Sequence, residues 1–104
     1  MKLTKQGVAL NNKWYENYCR ENDRLGGNSA ECNFVEGWSI VDNTDYIKNL
    51  TDVCGLLIFG YETGFGWTAV DEIDGWIAEF GEDETVYGFT HAEIRAELLK
   101  YYED

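Results

Sequence analysis

The sequence predicts one α+β domain, with about three helices packed on a small, mostly antiparallel sheet. Three observations lead there. A chain of 104 residues (1–104) has room for one core and not for a second. Apolar residues make up 44% and aromatics 15%, a composition that collapses, unlike the aromatic-poor makeup of a disordered acidic tail. Apolar positions recur at three and four in some stretches and alternate or run unbroken in others, so helical and extended periods are both present. No internal repeat or low-complexity segment is visible, and without proline it is glycine that marks the breaks.

The elements follow in chain order. Asn11 to Asp23 reads as a helix capped by Asn11 or Asn12, with Trp14, Tyr15, Tyr18 and Cys19 as its apolar face. It can begin as early as Thr4, with Gly7 as a tolerated weak point. Leu25-Gly26-Gly27-Asn28-Ser29 ends it in a loop. Glu31 to Val41 alternates in part, with Phe34, Trp38 and Ile40 on one parity, and reads as a strand bent near Gly37. Asn43-Thr44-Asp45 would cap a short helical turn through Leu50. Val53 to Tyr61, VCGLLIFGY, is the most apolar run, and its length with its Ile, Phe and Tyr content favours a central strand. Glu62-Thr63-Gly64 would then turn into Phe65-Gly66-Trp67 as a hairpin.

Thr68 with Asp71 makes a capping box for the next helix. Its apolar stripe is Ala69, Val70, Ile73, Trp76, Ile77 and Phe80, and Gly81 stands where a C-terminal cap belongs. Glu82-Asp83-Glu84 reads as a turn and Thr85 to Phe89 as a short strand. Thr90 with Glu93 forms a second capping box, opening a last helix to about Tyr102 with Ile94, Leu98 and Tyr101 inward.

Charge is distributed less evenly than hydrophobicity. The formal net charge is −12 and the pI about 4.3. Residues 1–24 hold five of the eight basic residues against three acids, whereas the other 80 residues carry 17 acids against Lys48, Arg95 and Lys100. Between Lys48 and Arg95 there are ten acids and no Lys or Arg. Such a surface repels nucleic acid and anionic membranes, and its natural partner is a basic protein. The first residues lack the apolar core of a signal peptide, and no stretch approaches the ~18 apolar residues of a membrane span. The chain is therefore expected in the cytoplasm, where Cys19, Cys32 and Cys54, an odd set, fit reduced and packed thiols.

The charge is densest in residues 69–84, AVDEIDGWIAEFGEDE, which hold Asp71, Glu72, Asp74, Glu79, Glu82, Asp83 and Glu84. Burial accounts for the apolar half of this helix. The acidic half is different, because like charges at i, i+3 and i+4 repel by a few tenths of a kcal/mol per pair. Asp71, Glu72 and Asp74 are favoured by the positive end of the helix dipole, but Glu79, Glu82, Asp83 and Glu84 meet the negative end. Tolerating that cost points to use. Carboxylates at these spacings lie ~5–6 Å apart on a helix, against one phosphate per ~3.4 Å of axis along each DNA strand. These seven residues are thus the expected partner-binding surface of a decoy. It would mimic the phosphate backbone and inhibit a basic nucleic-acid-binding protein or nuclease complex.

In size and charge alone, with no shared motif, the chain is similar to phage and mobile-element proteins that inhibit restriction or RNA-guided defence. Three other readings stay open. The acidic face can serve solubility only; the chain can be an immunity or antitoxin-like protein neutralising one toxin; or it can be an accessory subunit without inhibitory action. A homodimer would double the acidic surface, and the sequence does not decide the oligomeric state.

Nothing in the sequence points to an enzyme. A nucleophile needs a base beside it, and the single histidine, His91, falls in the first turn of the last helix, where it caps or faces solvent. Cys19, Cys32, Cys54 and His91 lack the close Cys-x₂₋₄-Cys pairs of a structural zinc site. An EF-hand register around Asp74-Gly75 puts Val70 and Gly81 at ligand positions and fails, leaving only Glu82-Asp83-Glu84 for a loose divalent cation. The glycine-rich stretch Gly60–Gly66 has no phosphate-loop Lys and carries Glu62. No catalytic residue, metal or cofactor is expected. Of the four tryptophans, Trp76 belongs to the buried stripe, while an exposed Trp67 or Trp14 beside the acids would make an anchor for a protein partner.

Overall fold

We describe residues 1–24, 47–64 and 67–104 of a computed structural model, without the side chains at 18, 19, 21–24 and 62–64. The strand expected at 31–41 and the cap expected at 43–45 lie outside the described residues, as do Phe65 and Gly66. In chain order the elements are β1 (Lys2–Leu3), α1 (Lys5–Arg24), α2 (Leu50–Gly64), α3 (Ala69–Phe80), β2 (Thr85–Val86), β3 (Phe89–Thr90) and α4 (His91–Leu98). A 3₁₀ turn (Leu99–Tyr101) and β4 (Tyr102–Glu103) follow. The described residues thus form four helices and two antiparallel two-stranded sheets, β1–β4 and β2–β3. The fold is broadly α+β; among the described residues there is one helix more than the expected three, and the sheet is confined to two-residue strands.

The extra helix is α2, and it overturns the reading of VCGLLIFGY as a strand. Every residue from Val53 to Gly60 is buried. A helix that is apolar all round belongs in the middle of a protein, and α2 sits there, with α1, α3 and α4 packed on it. Its start is written in polar residues upstream. The Asp52 N–H donates to Asn49 Oδ1 at 2.9 Å and the Lys48 N–H to Asp52 Oδ2 at 2.9 Å. Asn49 and Asp52 therefore cap a helix that runs straight through the apolar run. The expected Glu62–Gly64 turn is the last turn of this helix, so no hairpin follows Tyr61 there.

At the N-terminus the earlier of the two expected starts is the observed one. Thr4 Oγ1 accepts from the Gly7 N–H at 3.0 Å and caps α1, while the Thr4 N–H donates to the Tyr101 carbonyl at 2.9 Å. Gly7, Leu10 and Trp14 face inward; Tyr15, placed on the apolar face from the sequence, is 46% exposed. β1 pairs with β4 in the register Lys2↔Glu103 and Leu3↔Tyr102, tying the two ends of the chain together. The last helix stops at Leu98, and it is Tyr102 rather than Tyr101 that is buried. The Tyr102 hydroxyl accepts from the Ala69 N–H at 3.2 Å, so the C-terminal strand also caps α3.

Both capping boxes read from the sequence are present, Thr68 with Asp71 and Thr90 with Glu93. Gly81 closes α3 at φ 98°, its N–H donating to the Ile77 carbonyl at 2.9 Å. The expected single strand at 85–89 is a hairpin instead. Val86 pairs with Phe89 and Thr85 with Thr90 across a two-residue turn, Tyr87 at φ 54° and Gly88 at φ 87°. Two consecutive positive φ values give the turn whose twist matches paired strands.

Cys54 lies at the centre of this core, fully buried, with its thiol donating to the Ile94 carbonyl at 3.9 Å. Burial, reinforced by the Glu97 carboxylate, pushes the thiol up to about 12 from its ordinary 9.0. Below pH 9 folded and unfolded chains both keep this proton. Between about 9 and 12 only the unfolded chain releases it, so stability falls as pH rises, by about 1.4 kcal/mol per pH unit. Tyr61, pushed up to about 12 by burial and then by Glu72, adds to the loss above pH 10. We expect urea midpoints to drop from pH 9 to 10 in the parent and to stay level in Cys54→Ala. A parallel drop in both proteins would refute this assignment.

Candidate functional site

The seven carboxylates read as one displayed surface divide into two groups. The first three are engaged within the fold. Asp71 is exposed, but its Oδ2 accepts from the Thr68 N–H at 3.2 Å as half of the capping box. Glu72 is half-buried and holds two indoles at once: Trp67 Nε1 donates to one carboxylate oxygen at 2.8 Å and Trp76 Nε1 to the other at 2.9 Å. Tyr61 joins the group, its ring centroid 6.3 Å from that of Trp67, and its phenol is raised in part by a hydrogen bond to Glu72. Asp74 pairs with Arg95 of α4, whose guanidinium the contact holds above its ordinary range. The sequence placed all three in the displayed surface, with only Asp71 also in a capping box; the structure gives each a partner within the molecule.

The other four remain outward. Glu79 is exposed on the last turn of α3, and Glu82, Asp83 and Glu84 are exposed in the turn that follows. Among the described residues no cation pairs with any of them. α1, which carries Lys5, Lys13 and Arg20, makes its main contacts with α2 and the chain ends, while α3 packs on α2 and α4. Arg95 is taken by Asp74 and Lys100 by Glu97, at 3.0 Å.

The dipole cost inferred for these four from the sequence is reduced by α4. The His91 N–H donates to the Glu84 carbonyl at 2.9 Å and the Ala92 N–H to the Glu82 carbonyl at 3.1 Å. The acidic turn therefore lies across the N-terminus of α4, whose positive end offsets the negative end of α3. The turn is held to its backbone on two sides, which fixes where the carboxylates leave the surface.

His91, expected either to cap or to face solvent, does not face solvent. It is 4% exposed, and its Nδ1 lies 3.0 Å from the Gly81 carbonyl. A carbonyl only accepts, so Nδ1 carries the proton and the ring locks the turn to α4. Phe80 departs in the other direction. It ends the apolar stripe of α3 yet is 58% exposed, while Trp76 and Ile77 are half-buried. The stripe runs past the core and out onto the surface. Trp76, Phe80, Glu84, Thr85, Val86 and His91 line an open groove of about 310 Å³ there, beside the four outward carboxylates.

Sequence reasoning missed this groove because it placed Phe80 inside and read 85–89 as one strand. The available signals were Tyr87-Gly88, a two-residue turn between β-formers, and Phe80 standing directly before a capping glycine. Of the two tryptophans thought candidates for exposure, Trp67 is 44% exposed and Trp14 is 1% exposed. Among the described residues no three His, Cys, Asp or Glu side chains converge on a point that would hold a metal ion. Cys54 and His91 are each committed to a backbone carbonyl. No helix of the described residues is long and apolar enough to cross a membrane. No family model, curated protein or solved structure matches the chain.

Proposed function

We propose that this chain is a small acidic binding protein that inhibits a basic nucleic-acid-binding protein by standing in for its phosphate backbone. The observation that carries the reading is the end of α3. Glu79, Glu82, Asp83 and Glu84 are exposed within six residues, and no cation of the described residues neutralises them. Desolvating such a cluster is favourable only against positive charge. A turn pinned to α4 presents the charges with little freedom to lose, which favours tight over diffuse association. The working surface is thus these four residues, with Asp71, Glu72 and Asp74 as supports of the fold.

The test is capture from a host lysate on immobilised protein at about 50 and about 200 mM salt, followed by elution with duplex DNA or with RNA. A phosphate mimic loses roughly tenfold or more of its affinity across that range and releases its partner to nucleic acid. A partner that stays bound at the higher salt and ignores both nucleic acids would refute phosphate mimicry and favour an immunity-like role. The inhibitory step itself is read as restored DNA or RNA binding by the captured protein once this chain is removed.

A further inference from the structure

The groove beside the acidic turn has two kinds of lining. Its walls are apolar, from Trp76 and Phe80 of α3 and Val86 of β2, with the His91 ring 5.7 Å from that of Trp76. Its edge carries Glu84, and Glu79, Glu82 and Asp83 belong to the same short segment. His91 belongs to the same lining, its Nδ1 held 3.0 Å from the Gly81 carbonyl.

We propose that this groove seats one apolar side chain of the basic partner, from a segment in which lysine or arginine flanks that side chain. The inference rests on the reading that the acidic end of α3 is the partner surface, and adds a chemically specified anchor to it. Charge complementarity selects the occupant. An acidic peptide, a free phosphate or an anionic lipid would meet carboxylates with no cation of the described residues to offset them. A purely apolar ligand would cover the walls and leave the charges unused. A cation-flanked apolar side chain uses both. The volume is at the lower limit for small-molecule pockets, which suits one side chain. An aromatic or aliphatic anchor in a desolvated cleft, ringed by charge, is the arrangement that concentrates binding energy at protein interfaces.

The experiment titrates the full-length ¹⁵N-labelled chain with two synthetic peptides of equal positive charge. In both, lysines and arginines flank a central residue, phenylalanine in one and serine in the other. The phenylalanine peptide is expected to bind about tenfold tighter, with shifts at the Trp76 indole and the backbone amides of Val86 and His91. Phe80→Ser, at a 58% exposed position, should abolish the difference between the peptides while leaving the fold intact. The combined Glu79→Gln, Glu82→Gln, Asp83→Asn and Glu84→Gln variant should weaken both peptides alike. Equal binding of the two peptides, or shifts that bypass the groove, would overturn the proposal. So would failure of the phenylalanine peptide to bind, even if the chain still captures a salt-sensitive basic protein, in which case the surface reading stands alone. Selective binding of the phenylalanine peptide by a chain whose partner ignores nucleic acid would keep the groove and remove phosphate mimicry.

Discussion

Gly55→Ala is expected to destabilise the protein, against the direction that helix propensity gives. Alanine in a helix interior is favoured over glycine by about 1 kcal/mol. At position 55 the added Cβ would stand 2.0 Å from Trp14 Nε1 and 2.4 Å from its Cδ1. Real carbon atoms do not approach that closely, and the indole, 1% exposed between α1 and α2, has no free side to move towards. Overpacking of this kind costs about 1–3 kcal/mol or more. The same contact explains why the indole N–H is buried without an acceptor among the described residues: it lies against the glycine. Trp14→Ala removes the obstacle and leaves a cavity, at about 3–5 kcal/mol. In that background Gly55→Ala should become neutral or stabilising, since only the propensity remains. A double-mutant cycle by urea denaturation measures this directly. Additive losses would show that Trp14 and Gly55 do not constrain each other.

The same pair explains what could and could not be read from the sequence. Capping signals are local, and at two places where a threonine stood three residues before a carboxylate the helix start was legible: Thr68 with Asp71, Thr90 with Glu93. So was the amphipathic stripe of α3 from Ala69 to Ile77. VCGLLIFGY carried no period, because a segment buried on all sides looks alike as strand or helix. Gly55 and Gly60 made a helix look worse still. Yet Gly55 is there for Trp14, 41 positions away, and only tertiary structure brings the two together. Charge was legible as a total and misleading as a surface. Trp76 stands four residues after Glu72 and Trp67 five before it, a local signal that a count of charges passes over, whereas nothing local said that Asp74 would meet Arg95 across 21 residues.

Substituting the seven carboxylates in two sets should therefore separate stability from binding. In the first set, Asp71→Asn weakens a capping box and Asp74→Asn breaks the contact with Arg95. Glu72→Ala leaves two indole N–H groups without their acceptor, an effect of about 1–3 kcal/mol where the group is buried, here mainly Trp76. Thermal midpoints should fall, and affinity for the partner, measured where each variant is fully folded, should change little. The second set replaces Glu79, Glu82, Asp83 and Glu84 with amides. Repulsion among them is relieved, so the midpoint should hold or rise slightly. Affinity for the basic partner should fall by about 30-fold or more near 50 mM salt, with a flatter dependence on salt. Calorimetry at two salt concentrations reads both quantities on the same samples. If affinity fell in proportion to the number of charges removed, whichever set they came from, binding would follow net charge alone. A defined acidic end on α3 would then have no part in recognition, and only an attraction between oppositely charged proteins would remain. Loss confined to the second set instead ties recognition to the acidic end of α3, whose charges the described residues leave uncompensated.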